Sequence, residues 1–491
     1  MLFNSTEFFI FFPVVVTLYF LTPFNRRWII LLLASYYFYM SWKPAYTLIL
    51  VASTAIDFTC GLMMGRYTDE EKDKRRPWLY LSLWANLGVL LLFKYYNFFN
   101  ESARDLAVAL DVPYAMPAFE LLLPMGISFY TFQTMSYSID VYNGRIRPER
   151  HLGVFALFVS FFPQLVAGPI ERAGNLLGQL HQGHQFDYYR VVAGLRRMAW
   201  GFFKKIVIAD NLALMVNAVY SNPTEYDGIS HILATVFFAF QIYCDFSGYS
   251  DIAIGAAQVM GFRLMENFRS PYFAKSIPEF WSRWHISLST WFRDYLYIPL
   301  GGNRVVKWRW YYNLFIVFMV SGLWHGASWT FVIWGALHGI YQIFGMMTKD
   351  KRDALVQQIG LTRHPQLYKW VQVLTVFFLV CFSWIFFRAN SITDAFYIVG
   401  QCASVITNPG QLLAIDWSHD VFMNQGFKIF AVSILAIALM ETVHLIQRNG
   451  SVSQLIMQRP AWVRWGIYYA AIITVLLFGQ FGHQEFIYFQ F

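Results

Sequence analysis

The run Trp310 to Thr348, WYYNLFIVFMVSGLWHGASWTFVIWGALHGIYQIFGMMT, holds thirty-nine residues without an Asp, Glu, Lys or Arg. As one α-helix it would reach ~58 Å, close to twice the ~30 Å hydrocarbon core of a bilayer. The run therefore predicts a hairpin of two membrane helices. Ionisable groups at membrane depth are costly and are functional candidates by default. His325, in the stretch SGLWHGASW (Ser321 to Trp329), is the first of them, with Gly322 and Gly326 allowing another backbone or a ligand to approach closely. A continuous helix from Trp310 would carry it ~23 Å from the cytoplasmic edge.

The rest of the chain has the same character. Of its 491 residues 57% are hydrophobic and only 13% charged, against about 25% charged in soluble domains. Its mean hydropathy is +0.41. A water-soluble surface cannot be built from so few charges. The eighteen Trp, thirty Tyr and forty-nine Phe suit the aromatic belts at two membrane interfaces. The chain reads as an all-α polytopic membrane protein with roughly eleven to thirteen transmembrane helices, counted as apolar stretches of near-spanning length. Among them are Leu121 to Ile139, Leu152 to Ile170, Gly228 to Cys244 and Trp465 to Gln484, with Pro44 to Gly65 interrupted by Asp57 and Ile429 to Gln447 by Glu441. The first run, from Phe8, lacks a basic start and a cleavage site, so it reads as a retained helix.

Basic residues fall at every second loop: Arg26 and Arg27, then Arg66 to Arg76, then Arg145, Arg147 and Arg150. The intervening Asn100 to Ala118 is acidic. The positive-inside rule places the N-terminus outside, the loops 263–309 and 349–369 in the cytoplasm and the Lys/Arg-free loop 389–426 outside. The same rule accounts for the net charge of +8 without nucleic acid as a partner. Between Glu171 and Asp227 the pattern is ambiguous, because Arg196, Arg197, Lys204, Lys205 and Asp210 interrupt apolar sequence. That segment either lies in the interface or crosses shielded by protein. No repeat or linker divides the chain, which reads as one membrane domain over 1–491: N-terminal helices 1–150, a core 151–348 and C-terminal helices 349–491.

A second histidine, His285, lies in WSRWHISLSTWFRDYLYIPLGG (Trp281 to Gly302). Ser276-Ile-Pro-Glu279 forms a capping-box start. Trp281, Trp284, Leu288, Trp291 and Tyr295 recur at helical spacing, with Arg283, Ser287, Thr290 and Asp294 opposite. The spacing predicts one amphipathic helix lining a cytoplasmic mouth, and an interfacial helix with snorkelled basic side chains is the competing reading. In YCDFSGYSD (Tyr243 to Asp251), Asp245 and Asp251 either orient a histidine or form structural salt bridges. They share a face only if Ser247-Gly248 breaks the helix. Four scattered cysteines, Cys60, Cys244, Cys381 and Cys402, signal neither zinc nor a disulfide framework. His181 and His184 lack further ligands at metal spacing, and His338 suits core packing. P-loop, nucleophile-elbow and zincin motifs are missing. From the residues alone, a buried histidine in a many-span protein serves either proton-coupled transport or a transfer reaction.

The chain resembles the membrane-bound O-acyltransferase family, and in particular members that acetylate alginate in Gram-negative bacteria. The resemblance rests on LLPMGISFYTFQTMSYSIDVY (Leu122 to Tyr142), FPQLVAGPIER (Phe162 to Arg172), GFFKKIVIADNLA (Gly201 to Ala213), YCDFSGYSDIAIG, NFRSPYFAKSIPEFWSRWHISLSTWFRDYLYIPLGGNR, SGLWHGASWTFVIWGALHG and the terminal EFIYFQF. It implies re-entrant or amphipathic helices around a central tunnel, with His325 of the WHG motif as catalytic histidine and His285 as the second tunnel histidine. Trp324, Arg283, Asp245, Asp251 and Arg293 are candidate tunnel or donor-binding residues. It further implies acetyl-CoA as a donor substrate with no permanently bound cofactor, and a location in the bacterial inner membrane as a multi-pass protein. The implied partner is a periplasmic acetyltransferase or another polysaccharide-modification protein. Peptidoglycan or cellulose as acceptor, or a transporter using the same histidines, are the alternatives.

Overall fold

The computed structural model describes residues 1–119, 122–166, 168–447, 450, 452–481, 486 and 487. Leu121, at the start of one expected span, and Gln484, at the end of another, lie outside the described residues, as does most of the terminal EFIYFQF motif. Among the described residues every regular element is helical. Among the described residues seven helices are both long and apolar enough to cross a membrane: Pro44–Met64, Lys72–Ala109, Gly228–Met260, Trp329–Met347, Pro365–Arg388, Phe427–Gln447 and Ala461–Phe478. The protein is a multi-pass membrane protein. Other apolar runs form shorter elements. Thr6–Leu21 and Ile392–Thr407 fall below 18 residues. Leu152 to Ile170 is cut into Leu152–Ser160 and Phe162–Leu165, with Phe161 outside helical geometry, since Pro163 has no N–H to continue the helix and is accommodated in a new first turn.

By its contacts the chain divides into two compact units, Met1–Met198 with Ser250–Glu266, and Ala199–Tyr249 with Asn267–Phe491. The Gly228–Met260 helix contributes to both.

In the first unit a polar cluster inside apolar helices explains the lone carboxylate of its span. Asp57 accepts from the Asn86 amide at 2.9 and 3.0 Å and from the Ser82 hydroxyl. Thr134 donates to Asn86 Oδ1 at 2.9 Å. Three helices, Thr47–Met64, Lys72–Leu90 and Ile127–Tyr142, are thus joined by groups that satisfy one another. That is how polar atoms are tolerated away from water.

The second unit carries the predicted hairpin, Lys307–His325 followed by Trp329–Met347. Its two helices cross where Gly322 meets Gly335. A Cβ on Gly322 would collide with the Phe331 carbonyl oxygen, and one on Gly335 with that of Phe318. Lipid tails are as apolar as leucine, so close packing through small residues drives such association. The three largest fully buried side chains, Trp284, Trp334 and Trp384, form the centre of this unit. Trp384 lies 5.2 Å from Trp284 and 5.8 Å from Trp334 between ring centroids. Leu435 and Trp462 are 70% and 78% exposed, as apolar side chains facing lipid should be. The other interrupting carboxylate, Glu441, is also partnered. Its Oε2 lies 3.4 Å from His444 Nδ1, and His444 Nε2 lies 3.2 Å from the Tyr243 hydroxyl.

The ambiguous segment is helical. Tyr188–Phe202 and Asp210–Ser221 are joined by a wide turn over Phe203–Ala209. Lys204 and Lys205 are buried and each has a partner, which permits charge inside an apolar setting. Lys204 donates to Ser247 at 2.9 Å.

Candidate active site

His325 is the last residue of the Lys307–His325 helix, and Gly326 leaves it in an extended conformation. The expected hairpin therefore turns immediately after the histidine, which places the imidazole at its tip. A Cβ on Gly326 would collide with the Phe331 ring, so the residue after His325 must be glycine for the turn to stay this tight. Ser328 restarts the helix by capping Thr330 N–H at 3.3 Å. His325 is 3% exposed. Its ring lies 4.9 Å from Trp334 and 5.5 Å from Phe387. Trp324, one residue earlier, is also buried.

His285 reaches the same place from a different element. The expected single helix over Trp281 to Tyr295 is broken: Ile277–Arg283 and Ile286–Phe292 are separate helices, and His285 between them has φ 43° and ψ 53°. For a side chain of this size a left-handed backbone costs of order 1–3 kcal/mol and persists only where its surroundings enforce it. Asn267 enforces it. Its carbonyl accepts from Ile286 N–H at 2.9 Å, and its Oδ1 accepts from the Ser287 hydroxyl at 2.9 Å and Ser287 N–H at 3.3 Å. The kink turns the His285 ring onto Phe246, at 4.6 Å, and brings it to 6.3 Å from His325 between ring centroids. His285 is 2% exposed. Burial pushes its imidazole down to about 3, so the ring is neutral at physiological pH and interacts as a hydrogen-bonding group.

Ser276 caps this region as expected, its Oγ accepting from Glu279 N–H at 3.2 Å, while the Glu279 carboxylate accepts from Lys275 N–H at 2.7 Å, one residue before the cap. The remaining candidates each have a charged partner. Arg283 pairs with Glu279 at 2.6 Å and Arg293 with Asp294 at 2.8 Å, so both guanidinium groups sit in ion pairs along their own chain segment. The Gly228–Met260 helix runs unbroken through Ser247-Gly248, so Asp245 and Asp251 diverge. Asp245 meets Lys205 at 2.8 Å, and Lys205 meets Asp210 at 2.8 Å. Asp245 also accepts from Ile487 N–H at 2.7 Å, which ties down the described part of the terminal motif. Asp251 belongs to the first unit, where Arg197 bonds it at 2.9 Å and grips Glu266 with both terminal nitrogens. Both aspartates form structural salt bridges.

His338 takes the packing role expected of it. Trp281 Nε1–H donates to its Nδ1 at 3.2 Å, and Ser383 Oγ lies 2.9 Å from Nε2. Sequence reasoning missed Asn267, Trp334, Phe246 and Phe387, the side chains that hold or wall the two histidines. Aromatic residues are too common here to stand out. Asn267 is a polar residue shortly after a helix end, which resembles an ordinary turn. Among the described residues no group of three or more His, Cys, Asp or Glu is placed to share a metal ion.

Two buried imidazoles side by side, one at a hairpin tip and one on a strained kink, are suited to general base catalysis and to polarising a carbonyl. Residues 150–391, which include both, match the membrane-bound O-acyltransferase family. The probable alginate O-acetylase of Pseudomonas aeruginosa is 41% identical over 441 residues, covering 89% of this chain and 81% of its own. The chain belongs to the membrane-bound O-acyltransferase family. This O-acyltransferase is also 36% identical to the peptidoglycan O-acetyltransferase of Helicobacter pylori over 433 residues, 81% of this chain and 79% of that protein. The teichoic acid D-alanyltransferase of Bacillus subtilis is more distant, at 27% over 299 residues, 56% of this chain and 71% of the relative. All three relatives are named for acyl transfer. The family assigns the chain as an enzyme, an O-acyltransferase.

Proposed function

We propose that this enzyme O-acetylates an exported polysaccharide, taking acetyl from acetyl-CoA on the cytoplasmic side of the bacterial inner membrane. The acceptor is alginate, reached directly or through a periplasmic acetyltransferase partner. The observation that carries this reading is the 6.3 Å separation of His285 and His325, short enough for both rings to meet one acyl carbonyl. His325 accepts the proton of the incoming hydroxyl as its oxygen attacks the thioester carbonyl. His285 hydrogen-bonds the developing oxyanion, and collapse of the tetrahedral intermediate expels the CoA thiolate, which takes up a proton. Base catalysis of this kind contributes about 10²- to 10⁴-fold. The neutral state of His285 suits hydrogen bonding across an apolar site better than a fixed charge does.

The polysaccharide rests on the relatives. An alginate O-acetylase at 41% identity favours alginate, and a peptidoglycan O-acetyltransferase at 36% supports that glycan as the second reading. Purified enzyme incubated with acetyl-labelled acetyl-CoA and each glycan, with and without periplasmic extract, tests both. Label on alginate supports the first reading and label on peptidoglycan alone replaces it. Substrate movement across a vesicle membrane without any acetyl product would make the protein a transporter instead.

A further inference from the structure

Arg388 ends the Pro365–Arg388 helix, directly after Phe387, whose ring rests 5.5 Å from that of His325. A guanidinium carries five N–H donors. This one spends a single bond, from Nη2 to Asn217 Oδ1 at 2.8 Å, and lies 5.5 Å from the Tyr220 ring centroid. Both partners are neutral, and among the described residues no carboxylate acts on it. The setting is rigid: Tyr220 is fully buried, its hydroxyl lies 2.8 Å from Thr235 Oγ1, and its carbonyl accepts from Asn390 at 3.1 Å. Lys205 and Arg283 of the same unit, by contrast, have acidic partners. A half-buried arginine held by neutral groups keeps its charge and most of its fork available.

We infer that Arg388 is an anion-recognition residue of the acceptor site, binding the carboxylate of a uronate sugar as its hydroxyl approaches His325. This rests on the polysaccharide reading above and adds a basis for acceptor choice. A guanidinium fork matches a carboxylate in bidentate geometry, and Arg388 is one residue along the helix from Phe387, whose ring packs on His325. A neutral glycan has nothing to offer it. A site that leaves a desolvated charge unpaired discriminates strongly against such a ligand.

The test uses the full chain in nanodiscs of zwitterionic lipid, titrated with an oligouronate and with the same oligomer after its carboxyls are reduced to alcohols. Wild type should bind the oligouronate more tightly. Arg388→Gln should weaken that binding about tenfold to a hundredfold, to the level of the reduced oligomer. Asn217→Asp should do the same with the arginine intact, because a carboxylate then occupies the fork from within the protein, and its folding should be unharmed. Equal affinity of wild type for the two oligomers, or undiminished oligouronate binding in both variants, overturns the proposal. So does Arg388-dependent binding of anionic lipid with none of the soluble uronate. A labelled acetyl donor separates this from the parent reading. Binding lost in the variants with no acetyl on the uronate upholds the anion site and refutes the acceptor, whereas acetylation of the uronate with unchanged variant binding does the reverse.

Discussion

His325 lies edge-on to Trp334, with ring centroids 4.9 Å apart and planes at 83°. Trp334 in turn stacks on Trp384 at 19°, so the ring that orients the histidine is itself fixed by another helix. An aromatic pair of this kind adds about 0.5–1.5 kcal/mol beyond the area it buries. Trp334→Phe keeps a flat face and should reduce acetyl transfer modestly. Trp334→Ala should cost about 3–5 kcal/mol of stability through the cavity left behind. Thermal unfolding in detergent and labelled acetyl transfer measure the two effects. Equal activity of the phenylalanine and alanine variants would show that the ring does not position the base.

His325→Ala removes the proposed base and leaves the hairpin crossing at Gly322 and Gly335 untouched. Acetyl transfer should fall by about 10²-fold or more with normal abundance in the membrane. Quantifying glycan acetate against the amount of membrane-inserted protein decides it. Acetate at wild-type levels would move the base elsewhere.

Much of this site was legible in sequence, and what was not has identifiable causes. The charge-free run from Trp310 to Thr348 gave the hairpin because no single span is that long. The break at His285 was hidden because apolar spacing continues across it, from Trp281 to Leu288 and Trp291, while the left-handed backbone is imposed by Asn267, a residue distant in sequence. Asp245 and Asp251 drew attention as a pair because they are close in the chain, yet an intact helix turns them to separate partners. Apolar runs overstate spanning helices wherever a proline such as Pro163 divides them. Arg388 carries no sequence signal of its own, because its partners Asn217 and Tyr220 come from a segment far away in the chain.

His285 combines strained backbone and chemistry, and two substitutions separate them. Asparagine is among the residues that enter the left-handed region most readily, so His285→Asn should fold and lose acetyl transfer. His285→Val should lose stability as well, by about 1–2 kcal/mol. There is also a pH signature. The folded-state pKa lies near 3, below the ordinary value of about 6.5, so acid favours the unfolded chain, which takes up the proton. The stability this group contributes is fully present above pH 6.5 and is lost as pH falls toward 3. Between pH 6.5 and 4.5 the loss is of order 2–3 kcal/mol, and unfolding midpoints of His285→Asn should fall less steeply than those of wild type over that window.

Lys205 and Asp245 are 1% and 4% exposed, so removing Asp245 leaves the buried lysine with Asp210 alone. Asp245→Ala removes one of the two carboxylates on this buried lysine and also releases Ile487, whose N–H it accepts, and should cost about 1.5–3 kcal/mol. In the other unit Arg197 and Asp251 are 26% and 16% exposed, and Glu266 still pairs with Arg197 when Asp251 is lost. Asp251→Ala should therefore cost only about 1 kcal/mol. Comparing the amounts of folded protein recovered from membranes checks the order. A greater loss for Asp251→Ala would contradict the assignment of Asp245 as the buried anchor.

Gly326 offers a direct test of how the hairpin tip positions His325, the proposed base. Its backbone is extended, with φ −160°, so conformation does not demand glycine; the Phe331 ring does. Phe331 packs edge-on against Phe387 at 4.9 Å, and Phe387 packs against His325 at 5.5 Å. A methyl group on residue 326 must push this chain of rings toward the imidazole. Gly326→Ala should cost about 1–3 kcal/mol as overpacking and lower activity more than a distant change of equal cost. Phe331→Leu leaves room for that methyl, so the double variant should recover part of both losses, with a coupling of about 0.5–3 kcal/mol in the stability cycle. Strict additivity of the two substitutions, in stability and in acetyl transfer, would mean that the ring chain does not carry the strain to His325.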